Sequence, residues 1–263
     1  MIEMGGNKYD ARKMQPVFDS LSTCSTWSLQ LLQIKNSRQH DTSYSGREIT
    51  LSPEGTLSAF VSEIAERYIA DTNGVIYSYQ EVIEYDGSTI DKVIYLIRKD
   101  NTLISEEYGA LIAAIATPDT EIDPLEFKAR AYLLRGIIKL GNEEKPVKLI
   151  SMQNPVTSSK HKFLRASGTF KEISDKVISL RTSIDVIMID DTVYMLTLAG
   201  ENLFNMERAY KATCSGKLQD IQQCNIVTDF DAFTLIAGSG HNPRKKDNHC
   251  RVSFVIYSST VCI

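Results

Sequence analysis

The residues best suited to chemistry in this chain are cations gathered between positions 241 and 251, in the run HNPRKKDNHCR. Arg244, Lys245, Lys246 and Arg251 set four fixed positive charges against one acid, Asp247. A guanidinium grips two phosphate oxygens in a fork, the ammonium groups act as point charges, and Pro243 restricts the backbone that carries them. The chemistry open to this run is recognition of phosphate, with a solvated surface loop as the alternative. A second, smaller basic patch is formed by Lys160, Lys162 and Arg165, with His161 among them. For that patch a solvated, charged loop is the simpler alternative.

Other chemistries fit the residues less well. Cys214, Cys224, His241, His249 and Cys250 lie too far apart in sequence for a compact zinc site, so no metal is expected. A magnesium nuclease needs an acid followed by Glu-x-Lys on a neighbouring strand to hold the ion and activate water. Asp185, Asp190 and Asp191 have no such follower, and the last two read as turn residues. The chain contains no Gly-x-Ser-x-Gly, no phosphate-binding P-loop and no dinucleotide fingerprint, so no nucleotide cofactor is expected either. The tyrosines could stack on unpaired bases, but Tyr77, Tyr79, Tyr95, Tyr132 and Tyr194 fall in apolar strands, where packing is the simpler role.

Composition sets the frame for these groups. The chain has 263 residues, 43% of them apolar, enough for one large core or two smaller ones. The net charge of -4 does not by itself announce a nucleic-acid partner, so the local clusters matter more than the sum. Apolar runs stop well short of the roughly 20 residues that span a bilayer, and no basic segment with an apolar core opens the chain. Five cysteines without a CxxC pair argue against a disulfide framework, and a reducing cytoplasm is the expected location.

The elements that must carry these residues follow from periodicity. The pattern around Trp27, Leu29 and Leu31 reads as a strand, residues 36–46 as polar loop, and Leu57, Phe60, Val61, Ile64 and Tyr68 as the buried stripe of a helix opened by Ser52 and Pro53. Extended segments are expected near 76–84 and 93–97. A helix opened by Ser105 should bury Tyr108, Leu111, Ile112 and Ile115. Residues 118–124, PDTEIDP, look like a linker, which divides the chain into an α/β region over 1–120 and an α+β domain over 121–263.

In the second region, residues 127–140 alternate well enough to be a strand, turned by Gly141 and Asn142 into another at 147–152. Residues 185–189 and 192–198 form a hairpin around Asp190 and Asp191, and a helical period follows from Glu201. Further helices are expected over 215–223 and 229–237. Strands first and helices last give an α+β fold with a mostly antiparallel sheet in the second half. Residues 252–263, VSFVIYSSTVCI, read as an apolar strand whose edge needs a cover, and a second copy of the chain would supply it.

The order of segments across 127–245 resembles the KwaB-like family, the cytoplasmic component of the bacterial Kiwa anti-phage system. The resemblance rests on FKARAYLLRGIIKL, KPVKLISMQNPV, the stretch from TFKEI to DDTVYML, ENLFNMERAYK and the Pro-Arg-Lys element at 243–245. It implies a protein that binds DNA, self-associates, and works beside a membrane-protein partner that would recruit it to the inner membrane; the apolar segment at 252–263 makes a homodimer the expected assembly. On these grounds the chain is expected to be a non-catalytic, DNA-binding effector. The rivals are a scaffold that ignores DNA and a metal-dependent nuclease.

Overall fold

A computed structural model describes residues 9–206, apart from 25, 37–41, 69–78, 86–89, 91, 158–161, 167–168 and 174–176, and also residues 222–223. The chain divides into two compact units, Met1–Tyr85 with Ile90–Met206, and Asp86–Thr89 with Glu207–Ile263.

The frame of the first unit is a nine-stranded sheet. In chain order its strands are β1 (Tyr9–Asp10), β2 (Trp27–Asn36), β3 (Thr42–Ile49), β4 (Glu81–Glu84), β5 (Val93–Arg98), β6 (Ala131–Leu140), β7 (Glu143–Ser151), β12 (Val186–Ile189) and β13 (Thr192–Met195). Four short strands complete the numbering: β8 (Val156–Thr157) pairs with β11 (Val177–Ile178), and β9 (Lys162–Ala166) with β10 (Thr169–Ile173). The spatial order of the large sheet is β1-β4-β5-β13-β12-β7-β6-β2-β3. Every neighbouring pair in it is antiparallel except β4 with β5. The fold is α+β, with a mostly antiparallel sheet.

Register explains how the sheet acquires two apolar faces. Leu29, Leu134, Leu149, Ile187, Tyr194 and Leu96 stand abreast across six strands. This row meets α1 (Gln15–Leu21) and α2 (Thr56–Tyr68), whose Phe18 and Tyr68 rings stack with centroids 4.9 Å apart. The apolar positions of α2, Leu57, Val61, Ile64 and Tyr68, recur at helical spacing and so fall on one stripe. The opposite face carries Gln30, Leu133, Ile150, Val186 and Met195. It is approached by α3 (Ser105–Ala116) and α4 (Gly200–Leu203): Gln30 Nε2 donates to the Ile115 carbonyl at 3.2 Å, and a Cβ placed on Gly200 would lie 2.8 Å from Val186.

Both expected hairpins form. Leu140 pairs with Glu143 around Gly141, at φ +65°, and Ile189 pairs with Thr192 around Asp190, at φ +51°. Glycine takes the left-handed conformation without steric penalty, and aspartate tolerates it through its short polar side chain.

Five expectations need revision. The polar loop at 36–46 gives way to β3 from Thr42, an edge strand whose Ser, Thr and Gly content hides its period. Helix α2 begins at Thr56 rather than at Pro53, whose carbonyl instead accepts from the Thr56 backbone N–H and hydroxyl. Tyr108 and Ile112 are only half-buried on α3, while Leu111 and Ile115 are buried as expected. The 120/121 division does not divide the sheet, because β1, β4 and β5 flank the strands of the second half on one side and β2 and β3 on the other. The stretch 118–124 forms turns instead of a loose linker. Asp119 Oδ1 accepts from the N–H groups of Glu121 and Ile122, Asp123 Oδ1 accepts from Leu125, and the Asp119 N–H donates to the Gly46 carbonyl at 2.7 Å. Of the helices expected after α4, and of the strand expected at 252–263, all but residues 222–223 lies outside the described residues.

Candidate functional site

The fold places few of the phosphate-binding candidates. Arg244, Lys245, Lys246, Arg251 and Lys160 lie outside the described residues. Lys162 and Arg165 sit on β9, opposite Ile173 and Phe170 of β10, so the second basic patch is carried at least in part by a two-stranded ribbon. Asp190 and Asp191 are turn residues, as their sequence suggests. Lys145 Nζ lies 2.8 Å from Asp190 Oδ2, and Lys99 Nζ lies 2.7 Å from Asp191 Oδ2. Hydrogen bonding to these carboxylates holds both ammonium groups above the ordinary lysine range. Each acid is thus answered by a lysine. Among the described residues no cluster of three or more His, Cys, Asp or Glu side chains could hold a metal ion.

Sequence reasoning missed a polar knot at the end of β7 and β12. Asp185 is 5% exposed, and a buried carboxylate persists only when its oxygens are matched by donors. Asp185 Oδ2 accepts from the Met152 N–H at 2.7 Å and from Arg181 Nη2 at 3.2 Å, while Oδ1 accepts from the Thr197 hydroxyl at 2.6 Å. The same Nη2 donates to the Met152 carbonyl at 3.0 Å. The Arg181 N–H donates to Gln153 Oε1, and its carbonyl accepts from the buried Tyr132 hydroxyl, whose pKa is raised chiefly by burial. Gln153 Nε2 in turn donates to the Ser179 carbonyl at 2.5 Å. Residues 179–185 are therefore fastened to the sheet from several directions. The signal available in sequence was an arginine four residues before an aspartate that opens an apolar strand.

Beside this knot lies a cleft of about 580 Å³, walled by residues 125–130 on one side and by 152–154 with Val156 on the other. Phe127 and Ala129 are buried, and Lys128 and Arg130, alternating with them, are exposed. The Ala129 N–H donates to the Phe127 carbonyl at 2.8 Å, closing a three-residue turn with Lys128 at its tip. The Arg130 N–H is held by the Leu32 carbonyl at 2.7 Å. The opposite wall is the part of the chain fixed by Asp185, Arg181 and Gln153. The charged lining of the cleft consists of Lys128 and Arg130 against Glu126. No nucleophile is paired with a base in it.

A further cationic pair occurs within the sheet. Arg135 of β6 stands opposite Lys148 of β7, and burial, with the Arg135 charge second, pushes the Lys148 pKa down. Arg135 reaches the Ile115 carbonyl at the C-terminal end of α3 at 3.5 Å and Glu48 at 3.9 Å. A cation there meets the negative end of the helix dipole, which gives Arg135 a structural role.

Comparison with known proteins bears on the second half of the chain. Residues 136–246 match the family described as Kiwa protein KwaB-like, somewhat under half of the sequence and largely the stretch that carries the resemblance. No curated protein and no solved structure matches the chain.

Proposed function

We propose, from the premise that residues 136–246 form a KwaB-like region, that this protein is an anti-phage defence component that binds DNA through its phosphates and breaks no bond in it. The observation that carries this reading is the basic run at 241–251, most of whose fixed charge (Arg244, Lys245 and Lys246) lies inside the matched residues. A cluster of this kind contacts phosphate without reading base sequence, so its contribution is the same on every DNA. Lys160, Lys162 and Arg165 supply a second set of contacts. The resemblance to the KwaB-like family is what supports a membrane-protein partner that recruits the chain to the inner membrane. A homodimer doubles the number of phosphate contacts, which strengthens binding without any new kind of contact.

Titration of duplex DNA at several salt concentrations, with and without magnesium, tests the proposal. Affinity that falls steeply and linearly with log salt, with DNA length unchanged in magnesium, is the expected result. No binding at physiological salt would favour a scaffold, and shortened DNA in magnesium a nuclease; either would overturn the reading.

A further inference from the structure

We infer that the cleft between residues 125–130 and 152–156 is a separate binding site for a terminal phosphoryl group, presented either by a free mononucleotide or by the end of a nucleic-acid strand. Nothing in this inference depends on the basic run at 241–251. It rests on two features of the first unit. Lys128 and Arg130 flank one wall, and only Glu126 opposes them in charge among the residues that line the cleft. Arg181, behind the other wall, is already paired with Asp185 and adds no free charge to the cleft. Both walls are fixed before any ligand arrives, Lys128 at the tip of a closed turn and Met152 and Gln153 by the Asp185 and Arg181 bonds.

Charge and shape together select the ligand. A dianionic phosphate end gains more from two neighbouring cations than a single carboxylate does, and an arginine fork matches its oxygens. About 580 Å³ is far more than a bare phosphate needs and falls in the range of small-molecule sites. Leu125, Met152 and Val156 supply the apolar flank that a sugar and base would use. A preformed cleft also avoids the ordering cost that a mobile loop would incur on binding.

The test uses the full-length chain and three probes: dAMP, a short single strand with a 5′-phosphate, and the same strand with a 5′-hydroxyl. Each is titrated into wild type, into the Lys128→Ala/Arg130→Ala double variant, and into Arg244→Ala/Lys245→Ala/Lys246→Ala. Loss of two charge-assisted contacts predicts binding weaker by about tenfold or more in the double variant, with dAMP affinity kept in the triple variant. Saturable dAMP binding with no preference between strands assigns the site to free nucleotides. Preference for the phosphorylated strand assigns it to strand ends. Wild type that neither binds dAMP nor distinguishes the two strands would overturn the inference, as would a double variant that binds like wild type. Both substituted side chains are exposed, and a thermal melt confirms the fold; should the double variant melt early, Lys128→Ala alone carries the same comparison.

Discussion

Asp185 shows how much of this structure hangs on single polar side chains. Its carboxylate serves the Met152 N–H, the Thr197 hydroxyl and Arg181 at once. Replacing it with alanine leaves the first two without an acceptor, while the half-exposed Arg181 head is rehydrated, so Asp185→Ala should cost about 2 kcal/mol in urea unfolding. A variant as stable as wild type would show that the knot is ornamental. Lys148 presents the opposite case. Burial and Arg135 lower its pKa, and it forms no ion pair among the described residues. Its charged form is therefore disfavoured by folding. Between the folded pKa and the ordinary lysine value the unfolded chain holds more protons, so stability rises with pH across that window, and below it the whole penalty applies. Lys148→Met should accordingly melt above wild type at pH 7, with the gap narrowing as the solution becomes alkaline. A lower melting point at neutral pH would instead mean that Lys148 answers an anion.

At the level of elements, β2 and β6 are matched through Trp27 and Gly136. A Cβ on Gly136 would lie 2.7 Å from the indole ring, so the ring packs directly on backbone. Gly136→Val should cost about 1–3 kcal/mol by overpacking, and Trp27 fluorescence should shift as the ring is displaced. Unchanged stability and emission would contradict that packing. The same strands show what could be read from sequence. The alternation at Trp27, Leu29 and Leu31, the turn at Gly141 and Asn142, and the two aspartates at 190–191 each carry a local rule, and each forms as expected. Edge strand β3 could not be read, because Thr42, Ser43, Ser45 and Gly46 resemble a loop until a neighbouring strand supplies their hydrogen bonds. The parallel pairing of β4 with β5 and the insertion of β12 and β13 beside β5 are long-range choices that no local window contains. The cleft was illegible for a similar reason: Lys128 and Arg130 register in sequence only as polar positions of an alternating run, and their opposite wall comes from residues 152–156.

For the molecule as a whole, the interleaved sheet couples both halves of the chain. Removing residues 1–120 would strip β2 from β6 and β5 from β13, baring two apolar strand edges. Residues 121–263 expressed alone should therefore aggregate or require a partner, and a soluble, cooperatively melting fragment would contradict the coupling. The proposed function rests at this scale on charge placement, since a chain of net charge -4 would attract DNA only through local clusters. The most direct measurement compares salt titrations of DNA binding for wild type and Arg244→Ala/Lys245→Ala/Lys246→Ala, once a circular dichroism melt shows the variant folded. If each of the three side chains meets a phosphate, the slope of log affinity against log salt should shrink by about 2.7, at roughly 0.9 per contact, equally for every DNA sequence. A folded variant with an unchanged slope would contradict the assignment of DNA binding to this run.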